Sequence, residues 1–134
     1  MSSLPAHAAI ITLLNVLLIA LASFFVGRAR GKHGIQAPAT SGHPDFDRAF
    51  RAHMNTIEQT VMFLPCLWIA SLYGNAQYAA WLGFLWLAAR LWFLFGYLAE
   101  AKKRSYGFTI SSLAMLGLVI VAFWGLLPPL LRLG

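Results

Sequence analysis

Two groups of polar residues keep helical spacing inside otherwise apolar sequence. In "RAHMNTIE", residues 51–58, Arg51, Asn55 and Glu58 fall at i, i+4 and i+7, one stripe of a 3.6-residue helix. In "ARLWFLFGYLAEAKKRS", residues 89–105, Arg90, Tyr97 and Arg104 recur at a seven-residue interval and form a second stripe. Glu58 lies about 10 Å further along its helix than Arg51 at 1.5 Å per residue. A carboxylate at that depth in hydrocarbon costs at least about a few kcal/mol unless it is paired or faces a wet cavity. The stripes therefore predict a polar-lined cleft between helices, open at one membrane face and greasy on its outer wall. Such a cleft suits an anionic, hydrophilic ligand beside a lipophilic one. Spacing alone leaves other arrangements open. Glu58 and Arg90 have opposite sign and reachable depths, and a buried ion pair between them would fix helix register. Arg51 and Arg104 are also what snorkelling at a membrane edge produces, Asn55 suits interhelical hydrogen bonding, and Tyr97 suits an interfacial aromatic belt.

The elements that position these residues follow from composition. Of 134 residues, 60% are hydrophobic and 10% charged, against about 25% charged in a soluble domain. The chain has too little polar surface to cover itself in water. Its net charge is +6, but the aromatics lie within the apolar runs and are not interleaved with the basic residues. A multi-pass integral membrane protein with basic loops fits, and a nucleic-acid binder does not. The single cysteine, Cys66, sits in an apolar run and reads as packing. His7, His33, His43 and His53 are scattered, and no metal site is expected.

Four spans are expected in one domain, 1–134, at about 4–27, 54–73, 78–99 and 108–131, each near the roughly 20 residues a bilayer requires. The first lacks a positive n-region and continues past the "ALA" at 20–22, so it reads as an uncleaved helix. In the polar stretch after it, Gly31, Gly34, Pro38, Gly42 and Pro44 are expected to break regular structure. Pro44 with Asp45 and Asp47 then marks a helix N-terminus. From Pro44 to Tyr73 that helix would be roughly 45 Å long, so about its first ten residues project from a 30 Å hydrocarbon core. "GNAQ" at 74–77 reads as a tight uncharged turn. The 28–53 and 100–107 loops share one side and hold Arg28, Arg30, Lys32, Arg48, Arg51, Lys102, Lys103 and Arg104, while only Arg132 lies opposite. The positive-inside rule puts both loops in the cytoplasm and both termini outside.

"RAHMNTIE" before an apolar helix resembles the R-A-x-x-N-x-x-E signature of the MAPEG family, the membrane-associated proteins of eicosanoid and glutathione metabolism. "ARLWFLFGYLAEAKKRS" resembles that family's third-helix motif, A-R-x-x-[YF]-x-x-G-Y followed by an arginine. The resemblance covers nearly the whole chain, and "RAH" with "RS" at 104–105 leans towards the branch of microsomal transferases and prostaglandin synthases. It implies an all-α integral membrane four-helix bundle, assembled as a homotrimer, with glutathione bound between subunits near the cytoplasmic face. By residue, it implies that Arg51, Asn55 and Glu58 bind glutathione and that Arg30 helps hold a glutathione carboxylate. It puts Tyr97 near the peptide and Arg104 opposite the thiol. Arg104 is therefore the expected catalytic residue, and the adjacent Ser105 is a weaker candidate for an auxiliary hydrogen bond. His53 stands where the family has histidine or glutamine. Phe93 and Gln59 replace tyrosines found in other members, and each loses a phenol contact.

The activity so implied is a membrane-bound glutathione transferase acting on lipophilic electrophiles, with hydroperoxide reduction as a companion activity, in detoxification or eicosanoid metabolism. The alternatives are a glutathione-dependent isomerase of the prostaglandin type and a non-enzymatic lipid-binding membrane protein. The partners expected are glutathione, a lipophilic electrophile or lipid hydroperoxide, membrane lipid and two further copies of the chain. A bacterial inner membrane is favoured over the endoplasmic reticulum.

Overall fold

A computed structural model describes residues 4–133. They form four helices, α1 (Ala6–His33), α2 (Pro44–Tyr73), α3 (Ala76–Ala99) and α4 (Ser105–Leu131), with a 3-10 turn at Ala101–Arg104 between the last two. α1 and α4 flank the α2–α3 pair: each packs on both central helices, and α3 against α4 is the most extensive contact. The chain is an all-α four-helix bundle, as its apolar runs predict.

The helix ends follow local chemistry. α2 starts at Pro44, whose missing N–H is no loss in a first turn, and the His43 side chain accepts the Asp45 N–H as N-cap. The turn at 74–77 closes when Asn75 Oδ1 accepts the Tyr78 N–H and caps α3. α1 differs from expectation. It runs through Gly31 to His33 and stops only at Gly34, whose φ of 65° is the left-handed region glycine reaches without a Cβ penalty. Gly31 does not break the helix, because a lone glycine costs only about 1 kcal/mol there.

α1, α3 and the segment Ala101–Leu131 are each long and apolar enough to cross a membrane. α2 does not reach that apolarity, since Glu58, Gln59 and the threonines dilute it. Outward positions are as greasy as the core: Leu13, Leu17, Phe24, Val61, Trp81, Phe123 and Trp124 are all exposed. Inside, the Phe63 and Trp86 rings stack at 3.7 Å. α1 is tied to α2 by polar links within the apolar region. Trp68 Nε1 donates to Thr12 Oγ1 at 3.0 Å and Asn15 Nδ2 to Thr60 Oγ1 at 3.3 Å, the kind of interhelical bond that substitutes for a hydrophobic driving force in lipid.

Candidate functional site

At the end of the bundle that carries the basic loops, α2, α3 and the start of α4 enclose a cleft of about 430 Å³. That is within the roughly 300–1,000 Å³ of small-molecule sites. Arg51 and Asn55 line it from α2, Phe93 and Tyr97 from α3, and Arg104, Ser105, Phe108 and Thr109 from the turn and α4. Two guanidinium groups face the cleft and no carboxylate does, so it is built for an anion. Phe93 and Phe108 add aromatic walls. Phe108 and Thr109 were not singled out in the sequence. The available signal was their i+4 spacing from Arg104 and Ser105, which puts all four on one helical face.

Arg104 reaches the cleft because α3 and α4 cross at very short range. A Cβ on Gly107 would collide with the Phe93 amide nitrogen and lie 2.7 Å from the Ala89 carbonyl oxygen; one on Gly96 would lie 2.5 Å from the Lys103 carbonyl oxygen. No side chain fits at either place. The close crossing brings Arg104 Nη1 to the Tyr97 hydroxyl at 3.3 Å, with the guanidinium carbon 5.1 Å from the ring centroid. Ser105 also lines the cleft, but its hydroxyl donates back to the Lys102 carbonyl at 3.0 Å.

Beneath the cleft lies Arg90, which is 0% exposed. Its Nη2 donates to Asn55 Oδ1 at 2.8 Å and to Thr56 Oγ1 at 3.1 Å, and its guanidinium sits 3.9 Å from the Phe93 ring centroid. Nε and Nη1 have no acceptor among the described residues. The anticipated ion pair between Glu58 and Arg90 is not formed. Glu58 is exposed, and among the described residues every ion pair lies near Asp45. The reason is helical geometry. Thr56 points into the bundle, and two residues on, at about 100° each, Glu58 points away from it. The arginine is held by neutral oxygens and aromatic faces instead.

Three expected site residues stand apart from the cleft lining. Glu58 continues the Arg51–Asn55 stripe but faces outward. His53 is half-buried on α2, and desolvation lowers its pKa, which keeps the ring neutral at pH 7. Arg30 Nη1 donates to the Ala39 carbonyl at 2.8 Å, and its guanidinium stacks 4.7 Å over Phe46. It braces the corner between α1 and α2.

That corner gathers histidines that are far apart in sequence. The His33 and His43 rings stack at 3.6 Å, and with Asp45 they place donor atoms within 4.8 Å of one another. These are metal-ligand residue types, contrary to the reading of the histidines as scattered. However, Arg48 binds Asp45 Oδ1, which makes the carboxylate a poor partner for a divalent cation. Desolvation works to raise the Asp45 pKa, but the Arg48 guanidinium, with His43 and His33 beyond it, holds the carboxyl below its usual range.

The chain is similar to known proteins over most of its length. The chain is 42% identical over 119 residues to an uncharacterized protein of Synechocystis, covering 89% of this chain and 87% of that one. It is 38% identical over 118 residues to microsomal glutathione S-transferase 2 of Bos taurus, covering 86% and 80%. To leukotriene C4 synthase of Cavia porcellus it is 40% identical over 119 residues, covering 89% and 79%. The MAPEG family model matches residues 8–124, from the first helix to the fourth, so the protein belongs to the MAPEG family and its helices form an integral membrane bundle.

Proposed function

We propose that the protein is a membrane-bound glutathione transferase that conjugates glutathione to lipophilic electrophiles. The observation that carries this reading is the convergence of Arg51, Asn55, Tyr97 and Arg104 on one cleft without a carboxylate. Glutathione has two carboxylates and one ammonium, and gains another negative charge as its thiolate. Arg51 offers a two-pronged grip on a carboxylate, and Arg104 faces the sulfur. The relatives named as a glutathione S-transferase and as leukotriene C4 synthases support the same class of enzyme.

The chemistry requires the thiolate. A free thiol has a pKa of about 8.5, so only a few per cent is ionised at pH 7. Lowering that value by two units takes about 2.7 kcal/mol of preferential stabilisation of the anion. A hydrogen bond from a charged donor contributes about 1.5–3 kcal/mol, so one well-placed guanidinium nearly suffices. The thiol proton leaves to water at the cleft mouth. Sulfur then forms a bond to the electrophilic carbon, and the electron pair departs with a leaving group or onto an opened epoxide oxygen, which takes a proton. Ser105 assists only after releasing its bond to Lys102.

The shared site of a homotrimer belongs to the same proposal. Glu58 is exposed on a helix that runs through the bundle, and a carboxylate facing lipid is costly. A neighbouring subunit would cover it, and its own Arg30 and His53 would reach the cleft from the other side. The basic loops face the cytoplasm in this reading, and the Synechocystis relative favours a bacterial membrane.

The test is turnover by purified protein in detergent with glutathione and chlorodinitrobenzene, extended to a small panel of epoxides and hydroperoxides. Conjugate formation that saturates in glutathione is expected. Tight glutathione binding with no turnover on any panel member would leave a lipid-binding protein in place of an enzyme.

A further inference from the structure

A second polar pocket, of about 240 Å³, opens on the other side of the bundle. Phe25, Arg28, Ala29, Lys32 and His33 form one face of the last two turns of α1, at i, i+3, i+4, i+7 and i+8. Asp45 and Ala49 of α2 and Leu98 of α3 complete the lining. Arg28 and Lys32 are exposed, and neither is in an ion pair among the described residues. The one acid present, Asp45, is taken by Arg48 and faces the histidines. Nε2 of His33 is buried and lies 3.4 Å from Asp45 Oδ2. The C-terminal end of α1 contributes about half a negative charge. Counting Arg28, Lys32 and Arg48 against Asp45 and the helix end leaves a surplus of about one and a half positive charges.

The apolar side of this pocket matters as much. Residues 1–27 contain no Lys, Arg, Asp or Glu, so Arg28 stands where α1 leaves the hydrocarbon. Phe25, Ala29, Ala49 and Leu98 make the floor. Phe25 packs edge-on against the exposed Phe95 at 5.8 Å, which continues the apolar surface along the bundle. The pocket is cationic at its watery end and greasy where it meets the membrane. We propose that it binds the headgroup of an anionic phospholipid, with the phosphate between Arg28 and Lys32 and the first acyl carbons along Phe25 and Leu98. Basic pockets between membrane helices at the headgroup level recognise lipids in this way. This inference does not depend on the glutathione cleft, whose lining includes neither Arg28 nor Lys32.

Two variants of equal charge test it. Full-length protein is purified from micelles containing equal phosphatidylglycerol and phosphatidylcholine, and the co-purifying lipid is quantified. Each basic residue near a headgroup is worth about fivefold in attraction, so phosphatidylglycerol is expected to be enriched about fivefold or more. The double variant Arg28→Gln, Lys32→Gln should bring the ratio close to parity. The double variant Lys102→Gln, Lys103→Gln, which removes the same charge from the other basic loop, should keep the enrichment. Equal loss in both variants would mean diffuse attraction and overturn the site, as would absence of enrichment in the unaltered protein. A changed particle size for the α1 variant with its lipid preference intact would assign the pocket to a second copy of the chain instead. Arg28→Glu, a single exposed substitution, provides a check: it should exclude phosphatidylglycerol without lowering the melting temperature.

Discussion

Arg90 Nη2 of α3 donates to Asn55 Oδ1 of α2 at 2.8 Å, and this bond decides which way the Asn55 amide faces. Asn55 also lines the cleft, beside Arg51. A buried charge thereby acts on the site without lining it. Its bond to Asn55 makes Arg90 a candidate positioning residue, and its burial is offset by Thr56 and the Phe93 ring.

Asn55→Asp separates these two roles. A carboxylate there would pair with Arg90, so the melting temperature in detergent should hold or rise. The cleft would lose its amide donors and gain a negative charge, and glutathione should bind about ten- to a hundredfold more weakly, as loss of a charge-assisted hydrogen bond predicts. Asn55→Leu should lower stability as well, because it removes an acceptor from a buried cation. Isothermal titration with glutathione beside thermal unfolding distinguishes them, and unchanged affinity in Asn55→Asp would take the amide out of the ligand site.

Gly107→Ala should be destabilising by about 1–3 kcal/mol, the usual cost of overpacking, because the added carbon meets the backbone of α3 and not a flexible side chain. Displacing α4 also carries Arg104 away from Tyr97, so turnover should fall more than glutathione binding. Gly31→Ala is the control. Nothing lies within 4 Å of a Cβ there, and the helix should gain about 0.5–1 kcal/mol. Thermal unfolding of both variants, with steady-state turnover, checks the pair.

Much of this arrangement was legible from residue spacing. The Arg51–Asn55 stripe follows the helical period of α2, and Pro44 and Asn75 mark helix starts by local chemistry alone. The Tyr97–Arg104 stripe does not follow one helix: α3 ends at Ala99, Glu100 is extended, and Arg104 returns to Tyr97 through the 3-10 turn. The partner of Arg90 was not legible. Opposite charge pointed to Glu58, but rotation about α2 turns Glu58 outward and leaves a neutral amide facing the arginine. Nor did spacing reveal the α3–α4 crossing, since Gly96 and Gly107 act through what they lack. The meeting of His33, His43 and Asp45 depends on the path between α1 and α2, which no periodicity encodes.

The basic residues of the two loops predict their side of the membrane. Gln36→Cys and Lys103→Cys, each in a Cys66→Ser background, should resist an impermeant thiol reagent in intact cells and react after permeabilisation. Gln77→Cys, in the first turn of α3, should react without permeabilisation. The reverse pattern would invert the orientation, and with it the side from which glutathione enters.

Arg104 carries the most direct test of the chemistry. At 3.3 Å from the Tyr97 hydroxyl, its guanidinium is held at the mouth of the cleft. If it stabilises the thiolate, the bound thiol has a lowered pKa, and the rate rises with pH through that lowered value and is flat above it. Removing the cation moves the rise upward, towards the free-thiol value of about 8.5. Arg104→Ala should therefore lower turnover at pH 7 by at least about tenfold, in proportion to the lost thiolate fraction, while glutathione still binds through Arg51 and Asn55. The deficit should narrow as pH rises, and the thiolate absorbance of the complex should titrate at the same higher pH. Arg104→Lys should recover part of the effect, because it restores the charge but not the planar fork. Near-normal turnover in Arg104→Ala, with the thiol titration unshifted, would make Arg104 an ordinary basic residue at the membrane edge and leave the activating group to be sought among Arg51, Ser105 and Tyr97.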